Sequence, residues 1–259
     1  MALSTLALCA GIGGLEIGVG RAVRTRVLGY VERDAYAAAV LLARMEDSSL
    51  EPAPVWCGNL EDFDAAPFAG VDLVTAGFPC QPFSVAGKRK GTEDERWLWP
   101  EIVRILRDVG PRLVFLENVP GILRQGLGEV LGTLAEFGFA AEWDFLPAAD
   151  VGALHFRRRW WVLAADPCCM QLLEQCRGLG RPSRPDTLEP RRNGETGSSP
   201  GTPARISQPR VDRAGDGFRA RVDRLRCLGN AVVPDQAALA FRVLADRLGI
   251  AHPASRESP

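Results

Sequence analysis

Lysine is almost missing from this chain: Lys88 and Lys90 are the two lysines among 31 basic residues, and the others are arginines. Long hydrophobic runs are missing as well, since no apolar stretch approaches the ~20 residues that a membrane-spanning helix needs. The first residues carry neither a basic lead-in nor a cleavage site, so we expect no secretion signal. Seven cysteines, an odd number at scattered spacings, argue against a disulfide framework. We therefore expect no membrane association and a reducing, cytoplasmic environment.

A net charge of either sign is also missing, because the formal charge is only −1. The charges are unevenly distributed, however, because the stretch from Cys176 to Arg226 contains twelve arginines and six carboxylates. Such an asymmetry is typical of a protein with a cofactor half and a phosphate-facing half. A solvated arginine-rich tail would look the same, and charge alone leaves both interpretations open.

Short apolar runs alternate with amphipathic stretches over the first 165 residues, which predicts a doubly wound α/β sheet. The predicted strands are Thr5–Cys9, Val27–Val31, Val55–Cys57, Val71–Ala76, Leu113–Glu117, Ala141–Phe145 and Trp160–Ala164. The predicted helices are Leu15–Val23, Ala35–Arg44, Pro100–Val109, Leu127–Phe137 and, near the end of the chain, Gln236–Leu248.

The composition changes after Asp166. Residues 181–216 are rich in proline, glycine, serine, threonine and arginine, and we expect them to be partly disordered because they hold too little apolar surface for a core. The expected organisation is a catalytic and cofactor-binding domain at 1–166, a short irregular region at 167–222, and a C-terminal segment at 223–250 that packs back on the domain.

A glycine-rich turn follows the first predicted strand, in the sequence LCAGIGGLE at residues 8–16. Such a turn allows a nucleotide-like ligand to approach the backbone closely. About twenty residues later, Glu32 ends the second strand, where a carboxylate can accept hydrogen bonds from two ribose hydroxyls. The pair predicts an adenosine-containing cofactor. S-adenosyl-L-methionine fits at least as well as a dinucleotide, because the spacing is not G-x-G-x-x-G.

A cysteine stands on a proline-stiffened loop directly after the fourth predicted strand, in the sequence GFPCQPFS at residues 77–84. Pro79 and Pro82 restrict the backbone around Cys80, at the end of the sheet where α/β folds place their chemistry. A buried core cysteine is the alternative for any isolated thiol, but these flanking residues favour a functional one.

Three further motifs follow in order: FLENVP, which contains Glu117; HFRRRWW at 155–161; and GNAVVP at 229–234. Glu117 alone could equally be a helix cap or a salt-bridge partner. If 155–161 is a strand, Arg157 and Arg159 share one face and could hold a pyrimidine carbonyl and a phosphate. GNAVVP by itself would be interpreted as a loop before the last helix.

Together these five motifs resemble the DNA cytosine (carbon-5) methyltransferases, over a span from Leu6 to about Leu239. The resemblance implies a Rossmann-like methyltransferase fold of class α/β, mostly parallel with one antiparallel strand, and S-adenosyl-L-methionine as cofactor. It implies that Cys80 is the nucleophile, that Glu117 contacts the ring nitrogen and amine, and that Arg159 contacts the base carbonyl. Arg157 would support the loop and a nearby phosphate. Double-stranded DNA is the implied partner.

The resemblance also implies two sets of binding residues and makes 167–222 a short target-recognition region. The implied cofactor-binding residues are Cys9, Ala10, Gly11, Ile12, Gly13, Gly14, Leu15, Glu32, Asn59, Leu60, Pro79, Asn230 and Ala231. The implied DNA-binding residues are Gln81, Ser84, Lys88, Arg89 and Lys90. The last three stand between glycines that could hinge a lid over DNA, although solvated surface charges are the alternative.

The match departs from the family at several positions. Cys9 stands where a phenylalanine usually packs on the adenine, so we expect weaker stacking on the adenine unless a neighbour such as Phe78 or Trp56 compensates. Asn59 aligns with an acid that contacts the adenine amine, a role that Asp62 could take. His155 stands where glutamine is commoner.

Three other functions are alternatives. A tRNA cytosine-5 methyltransferase shares the fold, although that branch tends to have threonine where Ser84 stands. A catalytically weak DNA-binding remnant would be expected to lose Cys80, Glu117 or Arg159, and all three are present. A dinucleotide oxidoreductase leaves the Cys80 and Glu117 loops unexplained.

We further expect a monomer and allow a cognate restriction endonuclease as partner. We expect no metal, because Cys168, Cys169 and Cys176 lack a second matching ligand pair.

Overall fold

The computed structural model describes residues 2–79, 97–124, 126–169 and 221–249. Seven strands form one sheet. They are β1 (Leu3–Leu8), β2 (Thr25–Glu32), β3 (Val55–Cys57), β4 (Leu73–Gly77), β5 (Leu113–Asn118), β6 (Ala140–Pro147) and β7 (Arg158–Ala165).

Six α-helices lie within the described ranges, together with short 3₁₀ turns such as Leu60–Asp62. The helices are α1 (Gly14–Ala22), α2 (Ala35–Glu46), α3 (Trp99–Val109), α4 (Leu127–Glu136), α5 (Arg221–Asn230) and α6 (Pro234–Arg247). Local sequence explains several of their ends. Asp34 caps α2 by accepting from the backbone N–H groups of Tyr36 and Ala37. Prolines occupy the first turns of α3 and α6, where a missing N–H costs nothing.

The strand order is β3-β2-β1-β4-β5-β7-β6. All neighbours pair in parallel except β7, which is antiparallel to both β5 and β6. The expected doubly wound α/β sheet with one antiparallel strand is therefore confirmed. Because β7 runs backwards, its first residues meet the carboxyl ends of the parallel strands at the same edge.

Apolar side chains cover both faces of the sheet. On one face, Leu15 and Val19 of α1 and Phe241 and Leu244 of α6 pack over the strands. On the other, α3 and α4 supply side chains such as Ile102 and Leu134 to a larger cluster. Both faces being buried explains why the strands are near-continuous hydrophobic runs. Within the described parts of the chain, no helix has the length and apolar character that crossing a membrane requires.

The structure differs from the sequence expectations mainly near the C-terminus. Gly229 and Asn230, expected in a loop, are the last residues of α5. Only residues 231–233 connect α5 to α6. Most strands extend one to three residues beyond the predicted bounds, since polar residues at their ends still join the ladder. One example is β7, which begins at Arg158 rather than Trp160.

Candidate functional site

A cavity of about 680 Å³ opens at the carboxyl edge of the sheet, beside the point where the strand order reverses at β1. Ligands of open α/β sheets bind in the crevice at such a switch point. The walls come from the turn after β1, the ends of β2, β4 and β5, the start of β7, and the α5–α6 connection. Segments far apart in sequence therefore meet in one site.

The glycine-rich turn forms the floor of the cavity. Cys9, Gly11 and Gly13 all have positive φ, of 49°, 56° and 81°, which bends the chain sharply between β1 and α1. A Cβ atom on Gly14 would lie 2.5 Å from the backbone oxygen of Val232, so only glycine lets the two segments approach. Gly13 instead faces Leu50 in the core and, unlike its neighbours in the turn, does not line the cavity.

Glu32 stands at the end of β2 with its carboxylate held by two backbone N–H groups. One oxygen accepts from Gly11 and the other from Asp34, both at 2.7 Å. Each carboxylate oxygen can accept a further hydrogen bond. Glu32 therefore ties the glycine turn to the start of α2 and still presents acceptors to the cavity.

The side of the cavity near β3 differs from the sequence expectation. Asn59 and Leu60 line it, and the neighbouring acid that does so is Glu61 rather than Asp62. Trp56 packs edge-on against Phe63 and is absent from the described lining.

Phe78 does line the cavity, where it is buried against Trp97 and Trp99. Of the two aromatic residues named as candidates to compensate for Cys9, Phe78 lines the cavity. Burial raises the pKa of the Cys9 thiol well above its ordinary range, with the Glu32 carboxylate acting in the same direction. Cys9 is therefore a neutral part of the wall.

Glu117 and Arg159 form an ion pair in the cavity wall. The Nε atom of Arg159 lies 2.9 Å from Oε1 of Glu117, and Glu117 is only 8% exposed. Burial raises the pKa of the Glu117 carboxyl, while Arg159 and then Arg157 oppose that shift. Glu117 pairs in register with Gly77, and a Cβ atom on Gly77 would lie 3.7 Å from its Oε2. The carboxyl thus faces the end of the strand that leads to Cys80.

Arg157 does not share a strand face with Arg159, so the expected alternation is wrong. β7 begins at Arg158, and Arg157 has a φ of 26°, which turns the chain away from extended geometry. Its guanidinium donates to the carbonyl oxygens of Gly229 and Ala231. Arg157 is also absent from the described cavity lining.

Asn230 and Ala231 line the cavity, and the connection to which Ala231 belongs lies beside the glycine turn at Gly14. Sequence reasoning missed Arg226, Cys227 and Asp34, which line the same region. Arg226 pairs with Asp34 and so joins α5 to the start of α2. An Asp directly before a helix signals an N-cap, but nothing in the sequence showed that an arginine about 190 residues later would meet it.

Several expected residues lie outside the described part of the chain: Cys80, Gln81, Ser84, Lys88, Arg89 and Lys90. Pro79, which precedes Cys80 directly, lines the cavity. The described residues hold no group of three or more histidine, cysteine or acidic side chains that could bind a metal ion.

Comparison with known proteins gives a consistent result. The model of the family described as C-5 cytosine-specific DNA methylase matches residues 3–169. The Type II methyltransferase M.NgoMIV of Neisseria gonorrhoeae is 33% identical over 163 residues, which cover 61% of this chain and 50% of that protein. M.CviJI of Paramecium bursaria Chlorella virus IL3A is 35% identical over 167 residues, covering 63% and 43%. The chain thus spans half or less of the length of these relatives.

Solved structures support the fold. The methyltransferase EhMeth of Entamoeba histolytica superposes with a TM-score of 0.52 at 19% identity, covering 64% of this chain and 53% of that one. The Dnmt2 methyltransferase of S. pombe gives 0.51 at 20% identity, covering 70% and 57%. At such identities the likeness concerns the fold alone.

Proposed function

The chain belongs to the C-5 cytosine-specific DNA methylases, and from that premise we propose that it transfers a methyl group from S-adenosyl-L-methionine to carbon 5 of cytosine in DNA. The proposal includes a covalent adduct between Cys80 and a flipped-out base. One observation carries it: the Glu117–Arg159 pair stands in the same cavity as the glycine turn and Glu32. The proposed base-binding pair and the proposed nucleoside-binding residues therefore line one cavity.

The cavity fits the proposed cofactor. Glu32 offers acceptors for ribose hydroxyls, and the glycine turn leaves backbone close to the ligand space. Asn59, Leu60 and Phe78 give one end of the cavity a mixed polar and apolar lining suited to an adenine ring. When bound, S-adenosyl-L-methionine would supply an electrophilic methyl group.

Cys80 is proposed as the nucleophile. Carbon 5 of cytosine is a weak nucleophile, and addition of the Cys80 thiolate to carbon 6 would build electron density at carbon 5. As carbon 5 gained the methyl group, the bond between that methyl and the cofactor sulfur would break and S-adenosylhomocysteine would leave. Loss of the carbon 5 proton to water would then re-form the ring double bond and break the bond between carbon 6 and the Cys80 sulfur. The free thiolate is thereby restored. Pro79 at the cavity wall supports this role, because Cys80 is the next residue.

Glu117 is proposed to protonate or hydrogen-bond ring nitrogen 3 as Cys80 adds to the ring. A buried carboxyl with a raised pKa holds its proton to higher pH than an ordinary glutamate, which suits a proton donor. Arg159 keeps the carboxyl in place and offers further N–H donors to the base carbonyl.

The target base must leave the helix to reach these residues, because carbon 6 is not accessible to a nucleophile within stacked DNA. We propose that the Lys88–Lys90 loop and the 167–222 region contact the phosphate backbone. A cognate restriction endonuclease stays a prediction.

Trapping on fluorinated DNA tests the proposal. Duplex DNA that carries 5-fluorocytosine is incubated with the full chain and S-adenosyl-L-methionine, then resolved on a denaturing gel. Fluorine cannot leave as a proton does, so the adduct with Cys80 should persist as a shifted band. Cys80→Ala should abolish that band, and Cys57→Ser, which changes an exposed cysteine elsewhere, should keep it.

The outcomes separate the substrate classes. No adduct on varied genomic DNA, with cofactor binding verified, would contradict the proposal. An adduct on tRNA containing 5-fluorocytidine, and none on DNA, would replace DNA by RNA as the substrate. A band that survives Cys80→Ala would show that another residue is the nucleophile.

A further inference from the structure

Arg157 fixes the backbone on both sides of Asn230. Its Nη1 atom donates to the Gly229 oxygen at 2.8 Å, and its Nη2 atom donates to the Ala231 oxygen at 2.6 Å. A planar guanidinium can hold two acceptors at once in a fixed geometry, which a lysine ammonium on its flexible stem does not do. Asn230 and Ala231 both line the cavity, so this side chain bonds directly to the backbone of that wall.

Gln236, in the first turn of α6, hydrogen-bonds to the backbone of Arg157. Its side chain is fully buried, and its Nε2 atom donates to the Leu146 oxygen at 2.7 Å and to the Arg157 oxygen at 3.0 Å. The left-handed φ of Arg157 is costly for a residue with a side chain and persists only where its surroundings enforce it. Gln236 provides part of that enforcement.

These contacts connect the two sides of the cavity. The Val232 oxygen lies so close to Gly14 that the connection 231–233 has no room to move toward the glycine turn. Arg159, two residues after Arg157, pairs with Glu117. The position of the α5–α6 connection is therefore set by the same short segment that presents the base-binding arginine.

We propose that Arg157 and Gln236 form a clamp, a pair of positioning residues that hold residues 229–232 as the cofactor-binding wall. The proposal assigns Arg157 to the protein backbone rather than to a phosphate. It rests on the proposed function only in identifying the ligand of that wall as S-adenosyl-L-methionine.

Two variants and one control test the clamp in the full chain. Arg157→Lys keeps the positive charge but loses the planar guanidinium that bonds two carbonyl oxygens at once. Gln236→Met keeps the side-chain volume but loses the two N–H donors of the amide. Arg242→Met is the control, because Arg242 also joins α6 to a backbone oxygen, that of Arg21, but does so away from residues 229–232. The measurements are hydrogen exchange of the amides at 229–233, calorimetric affinity for S-adenosylhomocysteine, and the separate KM and kcat for S-adenosyl-L-methionine.

Each clamp variant should speed exchange at 229–233 and weaken S-adenosylhomocysteine binding by about tenfold, the order expected for losing hydrogen bonds to a charged or buried donor. KM should rise by a similar factor, while kcat at saturating cofactor changes much less. Arg242→Met should alter none of these. Arg157→Lys with wild-type exchange and affinity would overturn the clamp, because charge alone would then suffice.

The readouts also separate the two proposals. If the wild-type chain binds no S-adenosylhomocysteine but Arg157→Lys still loosens residues 229–233, the clamp stands and the cofactor assignment fails. If Gln236→Met does not fold, Arg157→Lys decides the question, because Arg157 is only partly buried.

Discussion

Glu16 is a buried carboxyl that the proposed reaction does not use. It lies in α1 over the sheet, and its Oε1 atom accepts from the Thr75 hydroxyl at 2.8 Å. Its Oε2 atom is buried without a hydrogen-bond partner among the described residues, as is the hydroxyl of Tyr30. Burial raises the pKa of Glu16 from 4.5 to about 7, and the nearby Glu32 carboxylate adds to the shift.

This shift makes folding stability depend on pH. The folded state keeps a proton that the unfolded chain releases near pH 4.5, so the stabilisation is complete below pH 4.5 and is lost as pH rises to about 7. At 1.36 kcal/mol per pH unit, the loss is about 3 kcal/mol. Glu16→Gln should flatten this part of the curve when urea unfolding is followed from pH 5 to 8. Glu46→Gln, at an exposed site, should leave the slope unchanged; an unaltered slope in Glu16→Gln would contradict the assignment.

Glu117 gives a second prediction at the residue scale. Glu117→Gln removes the transferable proton and the negative charge but keeps the shape, so kcat should fall by roughly 10²–10⁴-fold. Affinity for S-adenosylhomocysteine should stay near that of the wild type. Because the pKa of Glu117 is raised, the wild-type proton donor is lost only as pH rises through that elevated value. Transfer of a radiolabelled methyl group measures the rate.

The control for Glu117 is Glu129→Gln, which alters an exposed carboxylate that accepts from Trp97 outside the described cavity lining. It should keep kcat. Equal losses in the two variants would indicate general destabilisation rather than a role for Glu117 in the reaction.

At the scale of elements, α1 and α6 pack with almost no space between them. A Cβ atom on Gly18 would lie 2.5 Å from both the Ala237 Cβ and the Pro234 oxygen. Gly20, in the same helix, is exposed, and its added Cβ would meet only the Thr25 hydroxyl, at 3.5 Å. One helix therefore offers two glycines with opposite expected behaviour.

Gly18→Ala should destabilise the fold by about 1–3 kcal/mol, because α6 must move away from α1. Gly20→Ala should stabilise it by about 0.5–1 kcal/mol, since alanine has the better helix propensity and fits here. Urea unfolding midpoints compare the two directly. If both substitutions changed stability in the same direction, the close packing of α1 on α6 would not be the cause.

The elements differ in how far the sequence could predict them. The strands were predictable because burial on both faces leaves apolar runs such as 113–116. Helix α5 was not, because its apolar residues Val222, Leu225 and Leu228 are exposed and show no core-facing pattern. Tertiary contacts hold it instead, through Arg226 to Asp34 and Gly229 to Arg157.

The residues of the candidate site likewise divide into those that the sequence could predict and those that it could not. Glu32 and Glu117 were predictable because each ends a strand at one edge of a parallel sheet. The backbone turn at Arg157 was not, because a positive φ in a run of three arginines depends on contacts with a segment some 70 residues away. Choosing Glu61 over Asp62 likewise required the geometry of the turn after β3.

At the scale of the whole molecule, the chain is nearly neutral because its many positive and negative residues balance in number. The two signs are concentrated in different parts of the sequence. The stretch from Cys176 to Arg226 carries twelve arginines and six carboxylates, and the remainder is correspondingly acidic. The cavity, in contrast, has a mixed lining: among the described residues it includes the carboxylates Glu32, Asp34, Glu61, Glu117 and Asp223 and the arginines Arg33, Arg159 and Arg226. Phosphate binding is therefore expected at the arginine-rich stretch, and cofactor binding at the cavity should depend little on salt.

Salt titration distinguishes these two kinds of binding. The logarithm of DNA affinity falls with the logarithm of salt concentration by about 0.9 for each phosphate that the protein neutralises. Replacing Arg191 and Arg192 by glutamine should therefore lower that slope by up to about 2 and leave S-adenosylhomocysteine affinity unchanged. Replacing Arg242, which bonds Arg21 on the helical face, should alter neither. Fluorescence anisotropy with duplex DNA at several salt concentrations measures the slope; an unchanged slope in the double variant would mean that these arginines are solvated and that DNA binds elsewhere.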